Sequence, residues 1–492
     1  MLRWLFVVAV AAYLLSPAWP IVPIEGYEAA NAALCEYRTA HPGGSIYDEP
    51  PTVPIGFQPG SIALVVAVLR LGATDGLKVY GLLSATCAGL FLVLATVWLH
   101  RRSSQPAWLC SLVLLGIPEV YVASYYPSSS MMALPFLPAA LLTFGDGTSW
   151  PRALATAALI AFGTWIRLDL AFLAPAVVLQ SRTWSRAILV GAIVALLVPM
   201  AYSASGWPLH VVLREDNAAF QTPTVHRVVM VLCWSIPVWV GAAYLVGLRD
   251  LAIRHNYREL LIAVSGPMLI LAAYRLALIA PRYFLGAVPF LAYGILQAAP
   301  AVRDWSASQR RVGAIALAVL MASGFLPFVQ DYIEGPRSII GIGAYYLPVS
   351  WHQLKAKNID AVSSVQVVGD SVLTPNACTH FVAGDWFGRC LWAREGVARC
   401  GGPFERGSDP FHWGYRPASG GWVAVLEKRG TLREAVLAGQ ALWPETDFAL
   451  MHTQGDWPTD IGSLPPGVSV ECLAGDVLFY RYSHTSNPPK AP

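Results

Sequence analysis

Long apolar runs separated by short polar turns fill the first 330 residues of this chain. Runs long enough to span a bilayer, allowing for tilt and broken ends, fall near 4–22, 78–99, 107–124, 129–145, 153–166, 170–181, 187–204, 227–247, 259–279, 282–299 and 312–330. The pattern predicts a polytopic α-helical membrane protein with about eleven transmembrane helices. The runs at 153–166 and 170–181 are short and read as half-spans that meet at a buried break. A further apolar stretch at 57–71 is bounded by Pro59 and Gly72, and is expected to lie on or dip into the outer face. The first run follows Arg3, but prolines at 17, 20 and 23 and the lack of a small-x-small cleavage site favour an uncleaved anchor over a signal peptide.

After Asp331 the pattern changes. Residues 331–492 are rich in Gly, Pro, Trp and charge, with strand-like runs at Ser364–Val368, Trp422–Leu426 and Val477–Tyr482. This predicts two domains: a membrane domain over 1–330 that includes an outer loop at 24–77, and a C-terminal α/β domain over 331–492.

Composition agrees with a lipid environment. Hydrophobic residues make up 55% of the 492 and charged residues only 13%, against about 25% in soluble chains. A net charge of +3 without a long basic run gives no reason to expect nucleic acid as a partner. Arginines set the orientation. With the N-terminus in the cytoplasm, the inside segments hold Arg3, Arg101, Arg102, Arg152, Arg182, Arg186, Arg249, Arg254, Arg258, Arg303, Arg310 and Arg311. An odd number of spans then puts the C-terminal domain outside, in the periplasm or its equivalent. Cys378, Cys390, Cys400 and Cys472 would meet an oxidising compartment there, which favours two disulfides with three pairings open. A zinc site competes, but the spacing holds no CxxC.

Several ionisable residues break the inside rule. Arg167 and Asp169 sit in Trp165-Ile166-Arg167-Leu168-Asp169, between two apolar runs on the predicted outer side. Arg275 lies one turn from the outer end of its span, and Arg282 follows in Pro281-Arg282-Tyr283. Charges in or beside spans cost several kcal/mol unless paired or solvated, so they mark functional cavities by default. The plainer readings are that Arg167 and Asp169 pair with each other and that Arg282 snorkels to headgroups. On the same side, the outer loop carries Glu25-Gly26-Tyr27-Glu28 and Tyr47-Asp48-Glu49-Pro50-Pro51. Arginine grips phosphate through a planar fork, and a carboxylate can take the proton of an attacking hydroxyl. Both sets on an outer leaflet suit transfer of a group from a phosphate-linked lipid, the phosphate leaving under arginine stabilisation. A sugar on polyprenyl phosphate meets every requirement.

Taken in order, these motifs resemble the glycosyltransferase-C superfold, and most closely its protein mannosyltransferase and aminoarabinose transferase-like families. The resemblance rests on Glu25-Gly26-Tyr27-Glu28, Asp48-Glu49-Pro50-Pro51, Arg167-Leu168-Asp169, and Pro281-Arg282-Tyr283-Phe284-Leu285 running to Pro289-Phe290, and it covers about residues 1–330. It implies a polyprenyl-phosphate-sugar-dependent transferase of the cytoplasmic membrane acting on a lipid, glycan or protein. The chain departs from the family where Glu25 replaces an Asp or Asp-Glu pair and where Glu49, not His, precedes Pro-Pro. The general base is therefore open among Glu25, Asp48 and Glu28. Arg282, Arg275 and Arg167 are the expected phosphate ligands, with Tyr27, Glu49, Asp169 and Tyr283 in support. No cofactor is assigned, and the need for a divalent metal is left open. The competing functions are a ligase or polymerase using a polyprenyl-diphosphate-linked glycan, and a transporter or flippase for a lipid-linked sugar. The latter typically puts charges near the midplane and shows paired repeats.

Overall fold

The computed structural model describes residues 59–117, 128–145, 149–180, 183–204, 238–273 and 281–298, seven strands between 380 and 482, and isolated positions such as Ala32, Cys35, Glu36 and Thr39. At 281–283 and in the strands the description is of backbone only. The chain divides into two compact units: Met1–Pro23, Gly56–Leu64 and Lys78–Lys355 form one, and Ile24–Ile55, Val65–Leu77 and Ala356–Pro492 form the other. The expected spans at 4–22 and 312–330 lie outside the described residues, as does Ser364–Val368.

The described helices follow the apolar runs. They are α1 (Pro59–Arg70), α2 (Gly76–Ser103), α3 (Ala107–Leu115), α4 (Ser129–Ala133), α5 (Phe136–Phe144), α6 (Trp150–Ile166), α7 (Ala174–Val178), α8 (Trp184–Ala204), α9 (Val238–Ile253), α10 (Tyr257–Ala273) and α11 (Val288–Leu296). Two 3-10 turns, Leu168–Leu173 and Pro281–Ala287, precede α7 and α11. Among the described residues α2 and α8 are long and apolar enough to cross a bilayer unaided. Helix α8 leaves Trp184, Ile188, Leu196 and Met200 exposed, and only 22% of its most apolar stretch is buried. A helix that turns apolar side chains outward on this scale is matched to hydrocarbon and would aggregate in water.

Within the helical unit α6 packs between α5 and α8, and α11 packs on α3, α9 and α10. Gly247 of α9 meets the backbone of α11, where a Cβ would collide with the carbonyl oxygen of Gly294. Glycine at such a crossing lets two backbones touch, which is how helices gain van der Waals contact where lipid offers no hydrophobic drive. The ring of Trp98 on α2 meets Phe290 and Tyr293 of α11 at centroid distances of 5.9 and 5.8 Å.

A polar cluster ties the same helices together. Arg102 donates from Nε and Nη2 to the two carboxylate oxygens of Glu259, at 2.9 and 2.6 Å. The Tyr293 hydroxyl donates to Glu259 Oε2 at 2.6 Å. Trp98 Nε1 donates to Gln180 Oε1 at 3.1 Å, and Arg258 donates to the Gln180 carbonyl. A bidentate Arg–carboxylate pair is both strong and directional, so this contact fixes α2, α10 and α11 in register.

In the second unit, the described strands are β1 (His380–Gly384), β2 (Phe404–Arg406), β3 (His412–Pro417), β4 (Trp422–Leu426), β5 (Phe448–His452), β6 (Val468–Leu473) and β7 (Val477–Tyr482). They form one seven-stranded sheet in the order β2-β3-β4-β1-β5-β7-β6. The runs expected at Trp422–Leu426 and Val477–Tyr482 are strands with those bounds. Strand β1 pairs parallel with β4 and β5, and the other pairings are antiparallel. Parallel neighbours require crossover connections, so this sheet is mixed and not a meander of hairpins. Cys472 lies on β6, while Cys378, Cys390 and Cys400 lie outside the described residues. Also in this unit, Glu36 accepts the Gly76 N–H at 2.7 Å. A carboxylate there satisfies an orphan donor and complements the helix dipole at the start of α2.

Candidate functional site

The site begins at a helix break. Helix α6 stops at Ile166, and Arg167 is extended, with φ −153° and ψ 123°. The chain then makes the Leu168–Leu173 turn and restarts as α7. Pro175 in the first turn of α7 lacks an N–H, so an α-helical ladder arriving from upstream cannot run through it. Arg167 immediately precedes that turn and Asp169 is its second residue, so the break itself brings the two side chains together.

The result is a part-buried ion pair. Arg167 is 9% exposed, and its Nε lies 2.6 Å from Asp169 Oδ2. Its Nη1 donates to Ser129 Oγ at 3.3 Å. Ser129 comes from α4, which Ser128 caps by accepting the Met131 N–H at 3.2 Å. The Ser128 N–H in turn donates to Ser84 Oγ of α2 at 3.0 Å. From the other side, α1 starts against the end of α6: a Cβ on Gly60 would stand 2.8 Å from the Ile166 nitrogen. Only glycine permits that approach. The break that carries Arg167 is thus held by α1, α4 and, through Ser84, α2.

Beside the pair is a cavity of about 20 Å³, lined by Ser130, Arg167 and Asp169 at its polar side and by Leu134, Ile270 and Leu285, among others, at its apolar side. Gly286 completes that wall. Leu285 and Gly286 belong to the turn that opens with Pro281-Arg282-Tyr283. Two of the four sequence motifs therefore meet at one cavity, although they lie more than a hundred residues apart. Ser130 Oγ is buried and has no hydrogen-bond partner among the described residues. Among the described residues no three His, Cys, Asp or Glu side chains gather as a metal site would require.

Of the expected site residues, Arg167 and Asp169 are joined to each other. Arg282 and Tyr283 have their backbone in the Pro281–Ala287 turn, and their side chains are outside the described set. Glu25, Tyr27, Glu28, Asp48, Glu49 and Arg275 lie outside the described residues. Sequence reading missed Ser129 and Ser130, whose only signal is the run Ser128-Ser129-Ser130 after Pro127, and it gave Glu36 and Glu259 no role.

No protein-family model matches this chain, and no curated protein matches it. Solved structures do. ArnT from Cupriavidus metallidurans bound to undecaprenyl phosphate superposes with a TM-score of 0.55 at 14% identity, covering 99% of both chains. The same protein in the apo state gives 0.53 at 13% identity, over 97% of both chains. The archaeal oligosaccharyltransferase AglB from Archaeoglobus fulgidus, in complex with an inhibitory peptide and a dolichol-phosphate, gives 0.51 at 11% identity, covering 92% of this chain and 69% of that one. At such identities the likeness speaks for the fold alone: this chain shares the overall fold of ArnT from Cupriavidus metallidurans and of AglB from Archaeoglobus fulgidus.

Proposed function

We propose that this chain is an integral membrane glycosyltransferase that moves a sugar from a polyprenyl-phosphate donor to a lipid, glycan or protein acceptor at the outer face of the cytoplasmic membrane. The observation that carries the reading is the part-buried Arg167–Asp169 pair at a cavity also lined by Leu285 and Gly286 of the Pro281–Ala287 turn. That arrangement sits in a fold whose solved examples include a protein bound to undecaprenyl phosphate and one in complex with a dolichol-phosphate. A transporter reading expects charges gathered near the midplane of two repeated halves, and nothing in the described residues favours it.

In the reaction, a carboxylate takes the proton of the acceptor hydroxyl, and the hydroxyl oxygen attacks the anomeric carbon of the donor. The bond from that carbon to the phosphate oxygen breaks, and polyprenyl phosphate leaves with the electron pair. Glu25 is the first choice for the base because it stands nearest the end of the first span, with Asp48 and Glu28 as alternates and Tyr27 and Glu49 beside them. Arg282 and Arg275 hold the donor phosphate and stabilise its developing charge, with Tyr283 adjacent. Arg167 orients Asp169 at the edge of this site.

Reconstituted protein should bind undecaprenyl phosphate and transfer labelled sugar from an undecaprenyl-phosphate-linked donor to a membrane acceptor. Loss of a positioned base costs on the order of a hundred- to ten-thousand-fold in rate, so Glu25→Gln should all but abolish transfer. Near-wild-type turnover in that variant would move the role to Asp48 or Glu28. Failure of the wild-type protein to bind the lipid phosphate would overturn the whole reading.

A further inference from the structure

Resting on the glycosyltransferase reading, one feature of the cavity points past phosphate chemistry. Ser130 is 7% exposed, and its Oγ meets no hydrogen-bond partner among the described residues. Leaving a buried hydroxyl unpaired is unfavourable, and native proteins keep such groups mainly where water or a ligand completes them. The neighbouring Ser129 is already engaged by Arg167. Ser130 is not, and the space it lines is the cavity beside Arg167 and Asp169.

The chemistry of that space selects its occupant. A carboxylate 2.6 Å from the guanidinium offsets its charge, so an anion drawn towards Arg167 would also face Asp169. A fully ionised phosphate brings only acceptors and has nothing to donate to a carboxylate. A hydroxyl donates to one group and accepts from another, which is what Asp169, Arg167 and Ser130 jointly offer. The space of about 20 Å³ is enough for one water or one hydroxyl oxygen.

We propose that Ser130, Arg167 and Asp169 form a subsite for one hydroxyl of the transferred sugar, adjacent to and distinct from the phosphate ligands. The donor sugar is favoured over the acceptor because Leu285 and Gly286, of the turn that carries Arg282, also line the cavity, and in the donor the sugar is bonded directly to the phosphate. The subsite would then contribute to which sugar is accepted.

The test uses the full chain in lipid nanodiscs. Binding is measured for undecaprenyl phosphate and for undecaprenyl phosphate carrying mannose, glucose, galactose or arabinose, in wild type and Ser130→Ala. Wild type should prefer one glycosylated form over the bare lipid. Ser130→Ala should reduce that preference about 3- to 10-fold, the value of one hydrogen bond, and leave bare undecaprenyl phosphate within about twofold. A singly deoxygenated version of the preferred sugar should be insensitive to the substitution at one of its positions. Removing an unpaired buried hydroxyl should not destabilise the protein, so the Tm of ligand-free Ser130→Ala should equal or exceed that of wild type. Equal weakening of the bare lipid would overturn the inference in favour of a phosphate contact. An unchanged preference would reduce the cavity to a water site, and an effect on acceptor KM alone would reassign the hydroxyl to the acceptor. If wild type binds neither bare nor glycosylated lipid, the glycosyltransferase reading itself fails, a result separable from all the others.

Discussion

Arg167 and Asp169 hold each other in a setting where neither could remain alone. Their side chains are only 11% and 23% exposed, and removing one partner leaves the other charge under-solvated. Asp169→Ala should therefore lower the unfolding free energy by about 1–3 kcal/mol, seen as a fall in Tm. The double variant Arg167→Met with Asp169→Ala should recover most of that loss, since apolar replacement of a buried pair is often neutral. It should nevertheless stay inactive, because the polar side of the cavity is gone. A double variant as unstable as the single one would mean that the pair acts through packing. Arg282 makes a complementary case. Arg282→Ala should weaken undecaprenyl phosphate binding far more than acceptor binding, with lysine a partial rescue because it offers a point charge and no fork. Unchanged lipid affinity would leave the arginine snorkelling to headgroups. Arg167 and Asp169 were legible in the sequence because charges stand out in an apolar run. Ser129 and Ser130 were not, since serine is unremarkable beside a span and only the fold brings them to the break. Glu259 was hidden likewise: its partner Arg102 is 157 residues away.

Among the elements, what sequence could read was length. The 187–204 run corresponds to α8, 78–99 falls inside α2, and the two short runs around 167 were expected to meet at a break, which the structure puts at Arg167. What it could not read was the support of that break, because close approach is a property of pairs of elements. Gly60 is the sharpest instance. A Cβ there would stand 2.8 Å from the Ile166 nitrogen and 2.9 Å from Ile166 Cα, both backbone atoms that cannot swing aside. Gly60→Val should push α1 off the end of α6 at a cost of about 1–3 kcal/mol. Activity should drop more than stability does, since Arg167 directly follows the displaced residue. Transfer assays paired with thermal unfolding separate the two, and a variant with full activity would remove α1 from the support of the site.

For the whole molecule the open quantity is sidedness, and it is argued from charge and parity. Arginines crowd the turns at 101–102, 182–186, 249–258 and 303–311, and the positive-inside rule assigns those turns to the cytoplasm. If the runs at 4–22 and 312–330 both span, the eleven expected spans make an odd count and the chain beyond 331 would emerge on the opposite side. There the seven-stranded sheet of 380–482 would share a compartment with the outer loop that carries Glu25 and Asp48. A folded domain on that side can most usefully shape access of the acceptor, because the membrane part already holds the groups assigned to the donor. Protease added to intact spheroplasts should therefore cut within 331–492. Thiol labelling without reductant should miss most of Cys378, Cys390, Cys400 and Cys472, which an oxidising compartment would pair. Truncation before 331 should impair transfer to the acceptor more than binding of undecaprenyl phosphate. Protection of the tail until the membrane is opened would reverse the topology, and the assignment of Glu25 and Asp48 to an external site would fall with it.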